Sequence, residues 1–374
     1  MAQCRADPRV GEHSNMIQYG RQSIDEDDIA AVVEVLRGDW LTQGPHIERF
    51  EESVAEYVGA KYAVAYSSGT SALHGAAAAA GLGPGDTVAT SSLTFMASAN
   101  AARFVGAQPL LVDISKETWN IEMSAVPPDV SAVIPVHYAG LPVDLSFPQE
   151  NKPIIIEDGA HALGALTPDG PIGNCAHSDM CCFSFHPVKP ITTAEGGMVT
   201  TNDPDLAEKL RLFRSHGIVR KPENGAWYYE ISHLGYHYRM TDIQAALGYS
   251  QMKKLETFMA RRNEIASRYR ELLSKSTVGL PPAASEGFRH GYHLFPVLVE
   301  NRRSVFDGMR KSDIGVQVHY VPVHHHPISS DIPQGAAELP VCEMIYERLI
   351  SLPIHPTLTN EDQDFVVKTL LSLL

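Results

Sequence analysis

Cysteine is scarce and carries no framework: Cys4, Cys175, Cys181, Cys182 and Cys342 show neither the density of a disulfide scaffold nor metal-ligand spacing. That excludes a stapled secreted module and reads as reduced thiols in a cytoplasm. Positive charge is also short, 30 Lys and Arg against 44 Asp and Glu, a formal net charge of −14. Such a balance excludes nucleic acid and anionic membrane as general partners. No apolar run approaches the roughly 20 residues of a membrane helix. Arg5, Asp7, Arg9 and Glu12 stand where a signal peptide would need an apolar core, and residues 1–16 are expected to form a disordered extension. A dinucleotide fingerprint is missing as well. Gly81-Leu82-Gly83-Pro84-Gly85 lacks the G-x-G-x-x-G spacing and follows a helical segment, so it reads as a helix stop.

What is present begins with one lysine. Ser184-Phe185-His186-Pro187-Val188-Lys189-Pro190-Ile191-Thr192-Thr193-Ala194-Glu195-Gly196-Gly197 sets Lys189 in a short polar loop between strand-like Met180–Phe185 and Gly197–Thr201. A desolvated amine with a lowered pKa is a nucleophile that can form a Schiff base with an aldehyde. Three further pieces accompany it. Ser67-Ser68-Gly69-Thr70-Ser71 follows a strand-like Tyr62–Tyr66 and opens an alanine-rich helix former, which offers free N–H groups and a positive dipole end to a phosphate. Ile154-Ile155-Ile156-Glu157-Asp158 reads as a strand covered on both faces, with its acids at the C-terminal end, where open α/β sheets bind ligands. Thr94-Phe95 starts a helical segment and offers a ring that could stack on a planar group. Each piece alone also fits a plainer role: a surface lysine, a Ser/Thr N-cap, a turn aspartate, a core phenylalanine. Together they describe a pyridoxal phosphate (PLP) site.

The chain resembles the fold-type I, PLP-dependent sugar-nucleotide aminotransferases of the DegT type from about Ile17 onward. The resemblance is carried by Gly38-Asp39-Trp40-Leu41-Thr42-Gln43-Gly44, Ser68–Leu73, Glu157-Asp158 with His161-Ala162-Leu163-Gly164, the Lys189 loop, Leu212–Gly217 and Tyr238–Gly248. Within that family, the Lys189 loop, Trp227-Tyr228-Tyr229-Glu230 and Gln317-Val318-His319-Tyr320 are most similar to the pseudaminic acid branch.

The resemblance implies an α/β fold-type I architecture. A large PLP-binding domain with a mostly parallel central sheet would occupy residues 17–255, and a smaller C-terminal α/β domain residues 256–374. It implies that Lys189 binds pyridoxal 5'-phosphate covalently and moves the proton, that Asp158 pairs with the pyridine nitrogen, and that Phe95 stacks on the ring. Gly69, Thr70 and Ser184 would contact the phosphate, and His161 would lie near the ring. The implied partners are L-glutamate and a UDP-linked 4-keto-6-deoxy-N-acetylhexosamine, in a homodimer that shares its active sites. A dTDP-linked 3-keto-6-deoxyhexose is the alternative acceptor. The related 3-dehydratases carry histidine where this chain has Lys189, and a non-catalytic scaffold homologue would be expected to have lost Lys189 or Asp158.

Three features depart from the pattern or stand outside it. His237 occupies the place of a family asparagine expected to reach the neighbouring subunit's cofactor phosphate, and an imidazole can still donate there. The connections Asn120–Val133 and Leu145–Ile154 contain Pro127-Pro128 and Pro148, which argue against full helices. His324-His325-His326 invites a metal, but adjacent histidines diverge and no carboxylate or cysteine is suitably spaced nearby, so no metal is expected. By the resemblance, His319, Tyr320 and one of these histidines would line the sugar end of the pocket.

Overall fold

The computed structural model describes residues 16–145, 152–333 and 338–374. The expected N-terminal extension up to residue 15, Cys4 and Pro148 lie outside the described residues. Two helices open the chain, α1 (Glu26–Arg37) and α2 (Pro45–Val58). Asp25 and Asp28 cap α1 reciprocally, and Pro45 stands at the first position of α2, where the missing N–H is harmless. The next elements alternate: β1 (Tyr62–Tyr66), α3 (Gly69–Ala79), β2 (Thr87–Ser91), α4 (Ala97–Phe104), β3 (Gln108–Val112), β4 (Ala132–Ile134) and β5 (Ile154–Asp158). A small hairpin, β6 (Leu166–Thr167) and β7 (Gly170–Pro171), precedes β8 (Met180–Ser184), β9 (Gly197–Thr201) and α5 (Pro204–Arg214).

Seven of these strands form one sheet in the order β1-β9-β8-β5-β4-β2-β3. All neighbours run parallel except β9, which is antiparallel to both β1 and β8. The sheet is covered on both faces, and its central strands are rich in apolar residues, as such burial favours. Helix α3 is buried almost all round, and its alanines let it lie close against the sheet and α4. Between Asn120 and β4 the described chain forms only a short 3₁₀ turn, Met123–Ala125, as Pro127-Pro128 suggested. From Met240 to about Leu273 the sequence is charged and helix-compatible, with apolar residues at helical spacing. The chain is helical there, broken into α6 (Asp242–Met252) and α7 (Leu255–Leu273). The break falls where Lys254 turns to bind Asp28 at 2.6 Å and Asp25 at 2.7 Å.

The hairpin β10 (Ile218–Arg220) and β11 (Tyr229–Ile231) precedes α6 and projects Trp227, 81% exposed. After α7, the strands β12 (Phe295–Leu298) and β13 (Leu349–Leu352) pair antiparallel. With α8 (Arg302–Lys311) and α10 (Asn360–Ser372) they enclose a separate apolar core that includes Ile265, Tyr269, Phe295 and Val366. The short helix α9 (Pro340–Tyr346) lies in a third cluster, which joins Leu93, just after β2, and Leu111 of β3 to Leu294, Val323 and Cys342. No helix among the described residues is long and apolar enough to cross a membrane.

Candidate active site

One cavity of about 360 Å³ gathers Gly69, Thr70, Phe95, Asp158, His161, Ser184, Lys189, His319 and Tyr320 at the C-terminal ends of the parallel strands. Of the residues singled out from the sequence, the His324-His325-His326 triplet lies elsewhere, and so does His237. It is exposed beside the β10–β11 hairpin, with its ring 5.6 Å from that of His216.

Lys189 is placed by a closed loop between the antiparallel strands β8 and β9. Its backbone N–H donates to the His186 carbonyl at 2.9 Å, and Phe185 exchanges bonds with Gly196 and Thr193 to shut the neck. The side chain is half-buried, but its amine is desolvated at the cavity floor. Burial pulls its pKa down from 10.5 to about 8, against the attraction of Asp158, which acts upward.

Asp158 ends β5, and both of its oxygens are tied. Oδ2 accepts from Ser98 Oγ at 2.7 Å, and Oδ1 accepts from the Ala160 N–H at 3.1 Å. Ser98 in turn lies 2.9 Å from Thr94 Oγ1. The carboxylate is thus held in one orientation and buried, 5% exposed, as a partner for a cationic ring nitrogen must be.

The phosphate seat is the N-terminus of α3. Ser68 caps it by accepting from the Ser71 N–H at 3.1 Å, while the Ser71 hydroxyl returns a bond to the cap. A Cβ at Gly69 would stand 2.8 Å from Ser184 Cβ, so only glycine allows the helix end and the β8 end to close around a small anion.

The opposite wall comes from later in the chain. His161 Nε2 lies 2.9 Å from Tyr320 Oη, and the Tyr320 ring lies 5.8 Å from that of Phe95. His161 Nδ1 is buried without a protein partner, an orphan facing a cavity that could hold a ligand. Burial depresses the pKa of His161, with Lys189 and neighbouring histidines adding repulsion, so the ring stays neutral. His319 binds Ser351 Oγ through Nδ1 at 2.9 Å, and its carbonyl accepts from Tyr138 Oη.

Three wall residues escaped the sequence reading. Ser98 had a signal, since it lies one helical turn after Thr94. His293, 4.5 Å from the His161 ring, and Tyr19, 5.0 Å from the His319 ring, had none. His293 is placed by Arg262, which is fully buried and donates to the Tyr292 and Ile354 carbonyls at 3.1 and 3.0 Å.

The expectation that no carboxylate stands near the histidine triplet is corrected. The 3₁₀ turn Val323–His325 aims both His324 and His325 at Glu343 of α9.

The donor set fits PLP: a desolvated amine, an anchored carboxylate and an anion seat with no room for a Cβ share one cavity. Comparison with known proteins points the same way. A match to the DegT/DnrJ/EryC1/StrS aminotransferase family spans residues 22–371. The UDP-4-amino-4,6-dideoxy-N-acetyl-beta-L-altrosamine transaminase of Campylobacter jejuni is 36% identical, over 96% of this chain and 98% of that one. Helicobacter pylori PseC, an aminotransferase involved in the biosynthesis of pseudoaminic acid, superposes with a TM-score of 0.88 at 30% identity, covering 96% of this chain and 99% of its own. A Streptococcus pneumoniae protein, Spr1654, solved in a PLP form, superposes with a TM-score of 0.88 at 28% identity, covering 96% and 98% of the two chains. With the lysine, the acid and the anion seat gathered in one cavity, the chain belongs to the DegT/DnrJ/EryC1/StrS aminotransferase family.

Proposed function

We infer that this chain is a PLP-dependent aminotransferase that takes the amino group of L-glutamate and delivers it to C4 of a UDP-linked 4-keto-6-deoxy-N-acetylhexosamine, as in pseudaminic acid-type sugar biosynthesis. The observation that carries the chemistry is the Lys189 amine, lowered to about 8 and sharing its cavity with the anchored Asp158 carboxylate. The branch of sugar rests on the Campylobacter and Helicobacter relatives.

Bound here, PLP would supply an aldehyde for the amino donor and a ring that withdraws electrons from the reacting carbon. Asp158 would keep the ring nitrogen protonated, and Ser98 keeps Asp158 aimed. The α3 N-terminus with Gly69 and Thr70, together with Ser184, would hold the phosphate, and Phe95 would cover the ring face. Lys189 anchors the cofactor. The Lys189 amine, when free, would take the proton from the donor's Cα and later give one to the sugar carbon. A lysine near 8 is a usable base around neutral pH, whereas one at 10.5 is almost wholly protonated there. Tyr320, His161 and His319 would close the sugar end and exclude water. The same reading makes the working unit a homodimer, in which His237 reaches the partner's cofactor phosphate. The exposure of His237 outside its own cavity, beside a hairpin with bare Trp227, supports this.

The visible spectrum of the PLP-loaded protein tests the reading. L-Glutamate is expected to remove the band of the lysine-bound cofactor, and a UDP-4-keto-6-deoxy sugar to restore it. Restoration only by a dTDP-3-keto sugar would move the substrate and leave the enzyme class intact. A protein that forms no lysine-bound cofactor would overturn the reading in favour of a scaffold.

A further inference from the structure

We propose that His324, His325 and Glu343 form a binding site for one divalent transition-metal ion of the zinc class, outside the catalytic cavity. His324 and His325 sit on a 3₁₀ turn, with their rings near perpendicular, 79°, and centroids 4.6 Å apart. Their Nε2 atoms converge on a single acceptor, Glu343 Oε1, at 2.6 Å each. The carboxylate comes from α9, a different element, so the three ligands are brought together by the tertiary fold. Among the described residues, no other group of three His, Cys, Asp or Glu side chains brings its ligand atoms within 4.8 Å of one another.

Two imidazoles and one carboxylate are the ligand set that suits zinc, with nickel and copper as competitors. Tetrahedral ligands about 2.0–2.1 Å from zinc stand about 3.3 Å apart, so each Nε2–Oε1 contact would open by roughly 0.7 Å. The partial exposure of His325 and Glu343, 33% and 40%, leaves a fourth position to water. His324 Nδ1 is buried and unpartnered. Metal on Nε2 moves the proton to that nitrogen, where no acceptor awaits it. Lack of such an outer partner weakens a metal site by about 10- to 100-fold, so the ion is exchangeable, not a permanent part of the fold. The site lies four residues beyond Tyr320, and a bound ion would clip the segment carrying Tyr320 to α9.

The test is a calorimetric titration of zinc chloride into the full-length, PLP-loaded protein after chelator treatment, with melting followed in parallel. One equivalent is expected to bind at about micromolar affinity and to raise Tm with zinc concentration. His325→Ala, at a half-exposed position, and Glu343→Gln, which keeps the hydrogen-bond acceptor, are each expected to bind at least about tenfold more weakly. Both should retain the wild-type visible spectrum of the cofactor, which shows them folded. Cobalt(II) in place of zinc should give the ligand-field absorption of a tetrahedral nitrogen and oxygen site. The proposal is overturned if no saturable binding appears, or if both variants bind zinc as tightly as the wild type.

Discussion

The two walls of the cavity are made in different ways. The wall that bears Lys189, Asp158, Gly69 and Ser184 consists of strand ends of the large sheet, the closed β8–β9 loop and the start of α3. Each residue is fixed by a neighbour in the backbone ladder or by a cap: Gly197 pairs with Ser184, Cys182 with Asp158, and Ser71 with its cap Ser68. The facing wall of His293, His319 and Tyr320 consists of loop residues held from outside by side chains, namely Arg262, Ser351 and Tyr138. The proposed chemistry thus sits on the rigid wall and the proposed sugar recognition on the supported one. A sheet edge can hold a reacting atom in place while loops vary the shape opposite.

That division makes removal of a group from each wall a sharp comparison. Lys189→Ala takes away both the proposed cofactor anchor and the proposed proton carrier, and turnover is expected to fall by about 10³-fold or more. The fold should be unharmed, because the loop is closed by backbone bonds. Retention of full turnover would remove Lys189 from the reaction. Tyr320→Phe removes only the hydroxyl that meets His161 Nε2. A buried ring nitrogen left without its partner corresponds to roughly 1–3 kcal/mol. The expected effect is a loss of about tenfold in kcat/KM for the sugar, with the spectral reaction toward L-glutamate unchanged. If both substrates suffered equally, the facing wall would be serving the cofactor, and the contrast between walls would fail.

The same contrast decides what could be read from the sequence. Tyr62–Tyr66 followed by Ser68-Gly69-Thr70 announces a strand, a turn and a capped helix within a dozen residues, and the structure has those elements at those places. Asp158 closes a run of isoleucines, and Lys189 sits between two apolar strands, so local pattern alone located three of the main groups. Ser98 was within reach through its spacing from Thr94. His293 was not legible, since nothing near it in sequence indicates that Arg262 holds its backbone from α7. The histidine triplet shows the same limit in reverse. Its local pattern argued against a carboxylate neighbour, and Glu343 arrives only because α9 packs against the 323–325 turn in the cluster around Val323 and Cys342. The helix-compatible stretch 240–273 is helical but for a break at Lys253-Lys254, where Lys254 meets Asp25 and Asp28, partners far off in sequence that no local pattern indicates.

Acid should separate the walls through their titration windows, with the smallest effect of the three. Burial first, and then the charge of Lys189, pushes the pKa of His319 down to about 3. An unfolded histidine titrates near 6.5. Between about 3 and 6.5 the unfolded chain therefore binds a proton that the folded chain refuses, and stability rises with pH across that window. The contribution is complete above about 6.5 and is lost progressively below it. His161 and His293 shift in the same direction for the same reason, burial. Lys189 also has a folded pKa below its unfolded one, but its window runs from about 8 to 10.5, where the cofactor-free protein should gain stability as pH rises. Melting curves of the cofactor-free protein should thus show Tm climbing in two separate ranges. His319→Asn should flatten only the acidic one, and Lys189→Met only the alkaline one. If His319→Asn left the acidic slope untouched, the acidic window would belong to His161 and His293, and the neutral state of the facing wall would not depend on His319.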